Sequence, residues 1–165
     1  AIASGENARA SMVTGAKSIN STGDRIGAKQ KEGKVSETTG PKVLGLGGLF
    51  FKSAAPVATN DWYARVLGIK VEPWGVVFTP DAAAAHPGAA TVFSPFKADT
   101  DYFAPSDKEF MFNLMVDDLD AMLARCAEHD VLPVKTFPEE ANGKFAHIMD
   151  PEGRKIELWE PKPMA

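Results

Sequence analysis

The stretch Phe145-Ala-His-Ile-Met-Asp-Pro-Glu-Gly-Arg-Lys-Ile-Glu-Leu-Trp-Glu-Pro161 reads as two strands joined by a tight turn. Asp150-Pro-Glu-Gly153 carries the turn chemistry. Proline sets φ at the second position, and glycine accepts the positive φ that ends such a loop. In the second strand Ile156 and Leu158 point to one face, and Lys155, Glu157 and Trp159 to the other. A carboxylate therefore stands between two large apolar neighbours and shares its face with an indole. A simple turn sets Ala146 opposite Glu157, whereas a bulge brings His147 there.

Upstream, Phe110 to Val116 alternates, with Phe112, Leu114 and Val116 on one side and Met111, Asn113 and Met115 on the other. Asp118 is an N-cap, and Leu119, Met122, Leu123, Cys126 and Ala127 then recur at helical spacing. Earlier still, Leu49 to Ser53 alternates as a strand. Pro56 to Leu67 reads as a helix, with proline in its first turn and Gly68 closing it. Further strands are expected over Ile69–Phe78, turning at Pro73 or Gly75, and over Ala89–Ser94. Thr79 to Gly88 reads as a loop, and Lys97 to Lys108 as a polar link.

Strand and helix thus occur twice in the same order, offset by about 63 positions, from Leu49 to Phe112. The expected fold is α+β: two paired βαβββ modules, about 43–98 and 108–161, forming a curved half-barrel sheet around a cleft. They make one domain over 41–165. Residues 1–40 are rich in Gly, Ser, Thr, Lys and Asn, lack aromatic residues, and read as a disordered leader.

The net charge of -4 and a pI near 5.4 argue against a nucleic-acid partner, which needs a basic surface. One cysteine, Cys126, excludes an intrachain disulfide and fits a reducing cytoplasm, the expected location. No apolar run approaches the ~20 residues that span a bilayer, so no membrane partner is expected. The N-terminus also lacks a signal-peptide core.

Three segments carry a family resemblance: Phe51-Lys-Ser-Ala-Ala-Pro-Val-Ala-Thr-Asn-Asp-Trp-Tyr-Ala-Arg-Val-Leu-Gly-Ile69, Val116-Asp-Asp-Leu-Asp-Ala121 and Asp150-Pro-Glu-Gly-Arg-Lys-Ile-Glu-Leu-Trp-Glu160. Together they resemble the vicinal oxygen chelate superfamily, which includes glyoxalase I, extradiol dioxygenases, fosfomycin-resistance transferases and bleomycin-resistance proteins. The resemblance implies concave sheet faces that hold a small molecule, often beside a divalent metal, and a homodimer. It also implies metal ligands early in each module's first strand and on its last strand. The final position falls on Glu157. The first-strand positions fall on Gly48 and Met111, which do not suit Mn²⁺, Fe²⁺ or Zn²⁺. Ala90 to Pro95, the closing strand of the first module, offers neither carboxylate nor imidazole.

Two readings follow. The first is a small-molecule binding protein with no complete metal site and no cofactor. The alternative is a metal-dependent lyase, isomerase or dioxygenase that uses Glu157, with His147 as its partner, in an unexpected ligand set. Whether the chain is an enzyme stays open here. A bland role for Glu157 is a salt bridge with Lys52. If alternation holds, ligand is lined by Phe50, Lys52, Met111, Asn113, Met115, Glu157 and Trp159. His86 and His129 read as solvent-facing, with His86 a candidate cover for the cleft. Trp62 and Tyr63 read as helix-to-sheet packing, and Cys126 as an inert buried thiol.

Overall fold

The structure, a computed structural model, describes residues 40–163. The expected leader therefore lies almost wholly outside the described residues. In chain order the elements are α1 (Pro56–Leu67), α2 (Pro80–Ala84), β1 (Phe112–Met115), α3 (Leu119–Ala127), β2 (Lys135–Thr136), β3 (Gly143–Met149) and β4 (Lys155–Pro161). The sheet order is β1-β4-β3-β2, with β1 parallel to β4 and the other pairs antiparallel. This is an α+β fold with a mixed four-stranded sheet. Among the described residues no helix is long and apolar enough to cross a membrane.

Alternation along the hairpin decides what is buried. Ile148, Ile156 and Leu158 join Ala146 and Phe112 in one core with Trp62, Tyr63, Val66 and Leu67 of α1 and Leu119 and Cys126 of α3. Full burial of each large aliphatic side chain contributes about 1.5–3 kcal/mol. The α3 start is the one expected from sequence: Ala121 N donates to Asp118 Oδ1 at 2.9 Å. Glu160 Oε2 accepts from Leu119 N at 2.8 Å, so β4 also holds that helix end.

Helix α1 is capped by other parts of the chain. Ala55 at its N-cap offers no side-chain oxygen. Glu152, in the hairpin turn, supplies one instead, accepting from Ala55 N at 3.1 Å, Ser53 Oγ at 2.6 Å and Thr59 Oγ1 at 3.1 Å. At the other end Gly68 takes the left-handed conformation, φ 68°. There Arg125 donates from Nε to Val66 O at 3.0 Å and from Nη2 to Arg65 O at 2.9 Å. A carboxylate at the N-terminus and a guanidinium at the C-terminus both complement the helix dipole.

The Ser53 hydroxyl, followed by the Ala55 N–H, Arg154 and Thr59, holds the Glu152 carboxyl down at about 2. A carboxyl lowered by folding stabilises the fold above its ordinary value of 4.5, and that contribution is lost as pH falls towards 2. Urea titrations of the parent and Glu152→Gln should therefore differ by a constant amount near neutral pH and converge between those two values. A gap that stays constant down to acid pH contradicts the capping role.

The first half of the chain departs from expectation. The strands expected at 49–53, 69–78 and 89–94 do not form ladders; among the described residues this region contributes α1, the short α2 and one bridge, Glu72 to Gly75. Apolar alternation marks a face but supplies no partner edge. The first of these segments, 49–53, follows directly on Gly47 and Gly48, which weaken any strand leading into it. That segment is pinned by the hairpin turn instead. Arg154 Nη2 donates to Lys52 O at 2.7 Å, and its guanidinium lies 4.5 Å from the centre of the Phe51 ring. The expected loop at 79–88 contains α2, which begins at Pro80, a favourable first helical position.

Cys126 is fully buried, and burial pushes its thiol pKa up. The native protein should react with an aromatic disulfide reagent no faster than it unfolds, and promptly in denaturant. Fast stoichiometric labelling of the folded chain contradicts this placement.

Candidate functional site

Hydrogen bonds around the turn set the register of the hairpin. Gly153 N donates to Asp150 O at 3.1 Å, Asp150 N to Arg154 O at 2.9 Å, and Arg154 N to Asp150 Oδ1 at 2.8 Å. Gly153 is left-handed, φ 76°. The loop thus takes one residue more than a simple two-residue turn and is closed by a left-handed glycine. His147 consequently lies opposite Glu157, and Ala146 opposite Leu158. This corrects the simple-turn pairing of Ala146 with Glu157.

The result is a polar cluster on the face turned away from the helices, buried at Glu157, His147 and Tyr102 and exposed at Asn113. Glu157 is 5 % exposed and His147 0 %. His147 Nε2 lies 2.8 Å from Glu157 Oε2. Asn113, across the parallel β1–β4 pair, donates from Nδ2 to Oε1 at 2.9 Å. Tyr102 Oη donates to Oε2 at 2.5 Å. Aromatic rings surround the cluster: Phe96 stacks on Tyr102 at 5.3 Å, and Tyr102 and Phe137 set their edges against His147 at 5.4 and 4.8 Å. Lys155 anchors the Tyr102 loop, its Nζ donating to Tyr102 O at 2.6 Å and Ala104 O at 2.9 Å.

Tyr102 is a cluster residue that the sequence reading did not place, and the contacts of Lys155 with the Tyr102 loop were likewise not foreseen. The segment 97–108 reads as a polar link, yet it lays an aromatic hydroxyl on the central carboxylate. The only local signal is its aromatic content, with Phe96, Tyr102 and Phe103 close together in a turn-rich stretch.

The expected ligand-lining set divides. Asn113 and Glu157 meet in the cluster. Trp159 is buried beside it, stacked on Phe145 at 6.0 Å with Nε1 donating to Asn142 O at 2.9 Å. Phe50 and Lys52 line an open cavity of about 570 Å³ at the turn end of the hairpin. Met115 lines another, of about 540 Å³, with Trp74 and Phe78. Met111 is half-buried and lines neither cavity. The expected Lys52–Glu157 salt bridge does not form, because Arg154 pins the Lys52 backbone at the turn. His86 and His129 are half-buried.

Whether the cluster suits a divalent ion is a question of its donors. Glu157 and His147 are the two groups of the right kind, and they are hydrogen-bonded to each other. Among the described residues no three His, Cys, Asp or Glu side chains converge. Oε2 of Glu157 already faces two partners. This donor set does not fit the three-ligand sites of metal-using enzymes.

What the arrangement can do is present a fixed acceptor. The donors on Oε1 and the imidazole come from sheet strands, while the Tyr102 hydroxyl comes from a loop. Of these three partners, Tyr102 is the one carried by a loop rather than by the sheet. No curated protein matches the chain by sequence. A family model described as a glyoxalase-like domain matches residues 48–159, most of the chain, including α1, the Tyr102 loop and the Glu157 cluster. The chain belongs to this glyoxalase-like family, within the vicinal oxygen chelate superfamily.

Proposed function

We propose that this chain binds a small organic molecule on the sheet face that carries Glu157, without a resident divalent metal. The observation that carries the reading is the Glu157 carboxylate itself. It is buried at the middle of the sheet, and side chains from three separate segments converge on it. A ligand that displaces Tyr102 finds an oriented acceptor with aromatic walls, the usual make-up of a small-molecule site. Its recognition element is a hydroxyl or N–H donor beside an apolar body. In this reading the two modules, about 43–98 and 108–161, pair through α1 and α3, and a second copy covers exposed apolar side chains such as Val43, Leu44 and Phe93.

The test is a thermal-shift screen of hydroxylated and amine-bearing small molecules, run with and without chelator. Stabilisation that survives chelator and disappears in Glu157→Gln is expected. Stabilisation that appears only with a divalent metal contradicts the reading. The second reading, a metal-dependent lyase, isomerase or dioxygenase, is favoured by the adjacency of Glu157 and His147. Elemental analysis of protein purified without chelator separates the two: stoichiometric metal supports the enzyme, and its absence supports the binding protein.

A further inference from the structure

The 570 Å³ cavity at the turn end of the hairpin is not lined by Glu157, Asn113 or His147, so it is separate from the cluster above. Its size lies within the range of small-molecule sites, roughly 300–1,000 Å³. Part of its wall is rigid. Phe51 and Phe110 both pack on buried Phe112, with ring centres at 5.0 and 5.5 Å, and Arg154 braces Phe51 from its other contact. Part is adaptable: Phe50, 94 % exposed, stands in solvent on the rim.

Three cationic side chains, Lys52, Lys108 and Arg154, and one carboxylate, Glu152, line the cavity. Arg154 and Glu152 bind each other, and each is engaged elsewhere, Arg154 by Asp150 and Glu152 by Ser53, Ala55 and Thr59. Arg154 is thus held between two carboxylates, of which only Glu152 lines the cavity. Lys52 and Lys108 remain. Lys108 pairs at 2.7 Å with Asp107, whose side chain is 82 % exposed, a surface pair that an incoming anion can replace. Lys52 has no side-chain partner among the described residues, while its backbone is fixed by Arg154 at 2.7 Å. An exposed Lys52 side chain thus lines a mouth whose wall also carries the Phe50, Phe51 and Phe110 rings.

We propose that this cavity is a second binding site, for a flat aromatic carboxylate. The ring system lies between Phe50 and the Phe51–Phe110 wall, and the carboxylate pairs with Lys52 and, secondarily, Lys108. Neither charge nor apolar surface alone satisfies such a wall, so the two features must occur in one molecule.

The test titrates the full chain, by amide NMR and calorimetry, with three probes: naphthoate, naphthylmethylammonium and inorganic phosphate. Naphthoate should bind saturably, with shifts centred on residues 50–54, 108–110 and 152–154. The cation of the same shape and the ringless anion should bind about tenfold more weakly or less. Lys52→Met and Phe50→Ala should each weaken naphthoate about tenfold. Both side chains are exposed, so both variants should melt with the parent. The proposal is overturned if naphthoate does not titrate, if the cation binds equally, if Lys52→Met changes nothing, or if the shifts centre on Glu157. Because the shifts are mapped, failure here is distinguishable from failure of the Glu157 site.

Discussion

Replacing Arg154 with Met is expected to lower the free energy of unfolding by about 3–5 kcal/mol, the cost of stranding a buried charge. The guanidinium is 2 % exposed. It donates from Nη1 to Asp150 Oδ2 at 2.7 Å and from Nη2 to Lys52 O at 2.7 Å, and it pairs with Glu152. Asp150, its side chain fully buried, would keep only neutral donors: the N–H groups of Glu152 and Arg154 at 2.9 and 2.8 Å and the Tyr63 hydroxyl at 3.1 Å. Burial and the neighbouring Asp150 push the Tyr63 hydroxyl pKa well above the ordinary value, so Tyr63 stays a neutral donor and does not replace the lost positive charge. The substitution also releases the segment around Lys52 and loosens the Glu152 cap of α1. Lysine is not a substitute, because an ammonium cannot span the same acceptors as a planar fork. Urea unfolding followed by tryptophan fluorescence and circular dichroism measures the loss. A change below about 1 kcal/mol would show that the charge is not the clamp the contacts describe.

The second large effect is expected at Gly143, where alanine should cost about 3 kcal/mol or more. Gly143 has φ 134°, a conformation that side-chain-bearing residues rarely adopt. A Cβ there would collide with the Glu160 carbonyl oxygen and would sit 2.8 Å from Trp159 Nε1. The collision is with backbone, so β3 and β4 must part at their Gly143–Pro161 end. The Trp159 hydrogen bond to Asn142 would go with it, and tryptophan emission should shift to the red. Gly75 is the control, with φ 131° and open space around its Cβ position. Gly75→Ala should therefore cost only the backbone strain, about 1–3 kcal/mol. Equal losses at the two positions would mean that the close approach of β4 at Gly143 is not felt.

How much of this was legible follows from how local each signal is. The hairpin, α1 and α3 rest on turn residues, a first-turn proline, a closing glycine and an aspartate cap, all within a few positions of what they control. The register does not. Whether Ala146 or His147 faces Glu157 depends on a left-handed Gly153 and on Asp150 Oδ1 accepting from Arg154 N. One extra loop residue exchanges Ala146 for His147 opposite Glu157. Alternation in Leu49–Ser53 marked an apolar face, but no partner edge formed a ladder with it. Glu157 was legible as a carboxylate on the face away from the helices by parity, and as a candidate site residue by family resemblance. Its partner Tyr102 was not, because the contact joins residues 55 positions apart through a loop with no periodic pattern. Lys155 shows the same gap: parity placed it on the cluster's face, but its acceptors are carbonyls of that loop.

The central claim is that the Glu157 face receives a ligand donor in exchange for the Tyr102 hydroxyl. The most direct measurement is a crystal structure of the full chain with the strongest stabilising molecule from the chelator-treated screen. The account predicts a ligand hydroxyl or N–H within hydrogen-bond distance of Glu157 Oε2, with Asn113 and His147 in place and the Tyr102 ring swung away. A ligand seated elsewhere while Tyr102 stays on Glu157, or one held there through a divalent ion, contradicts it.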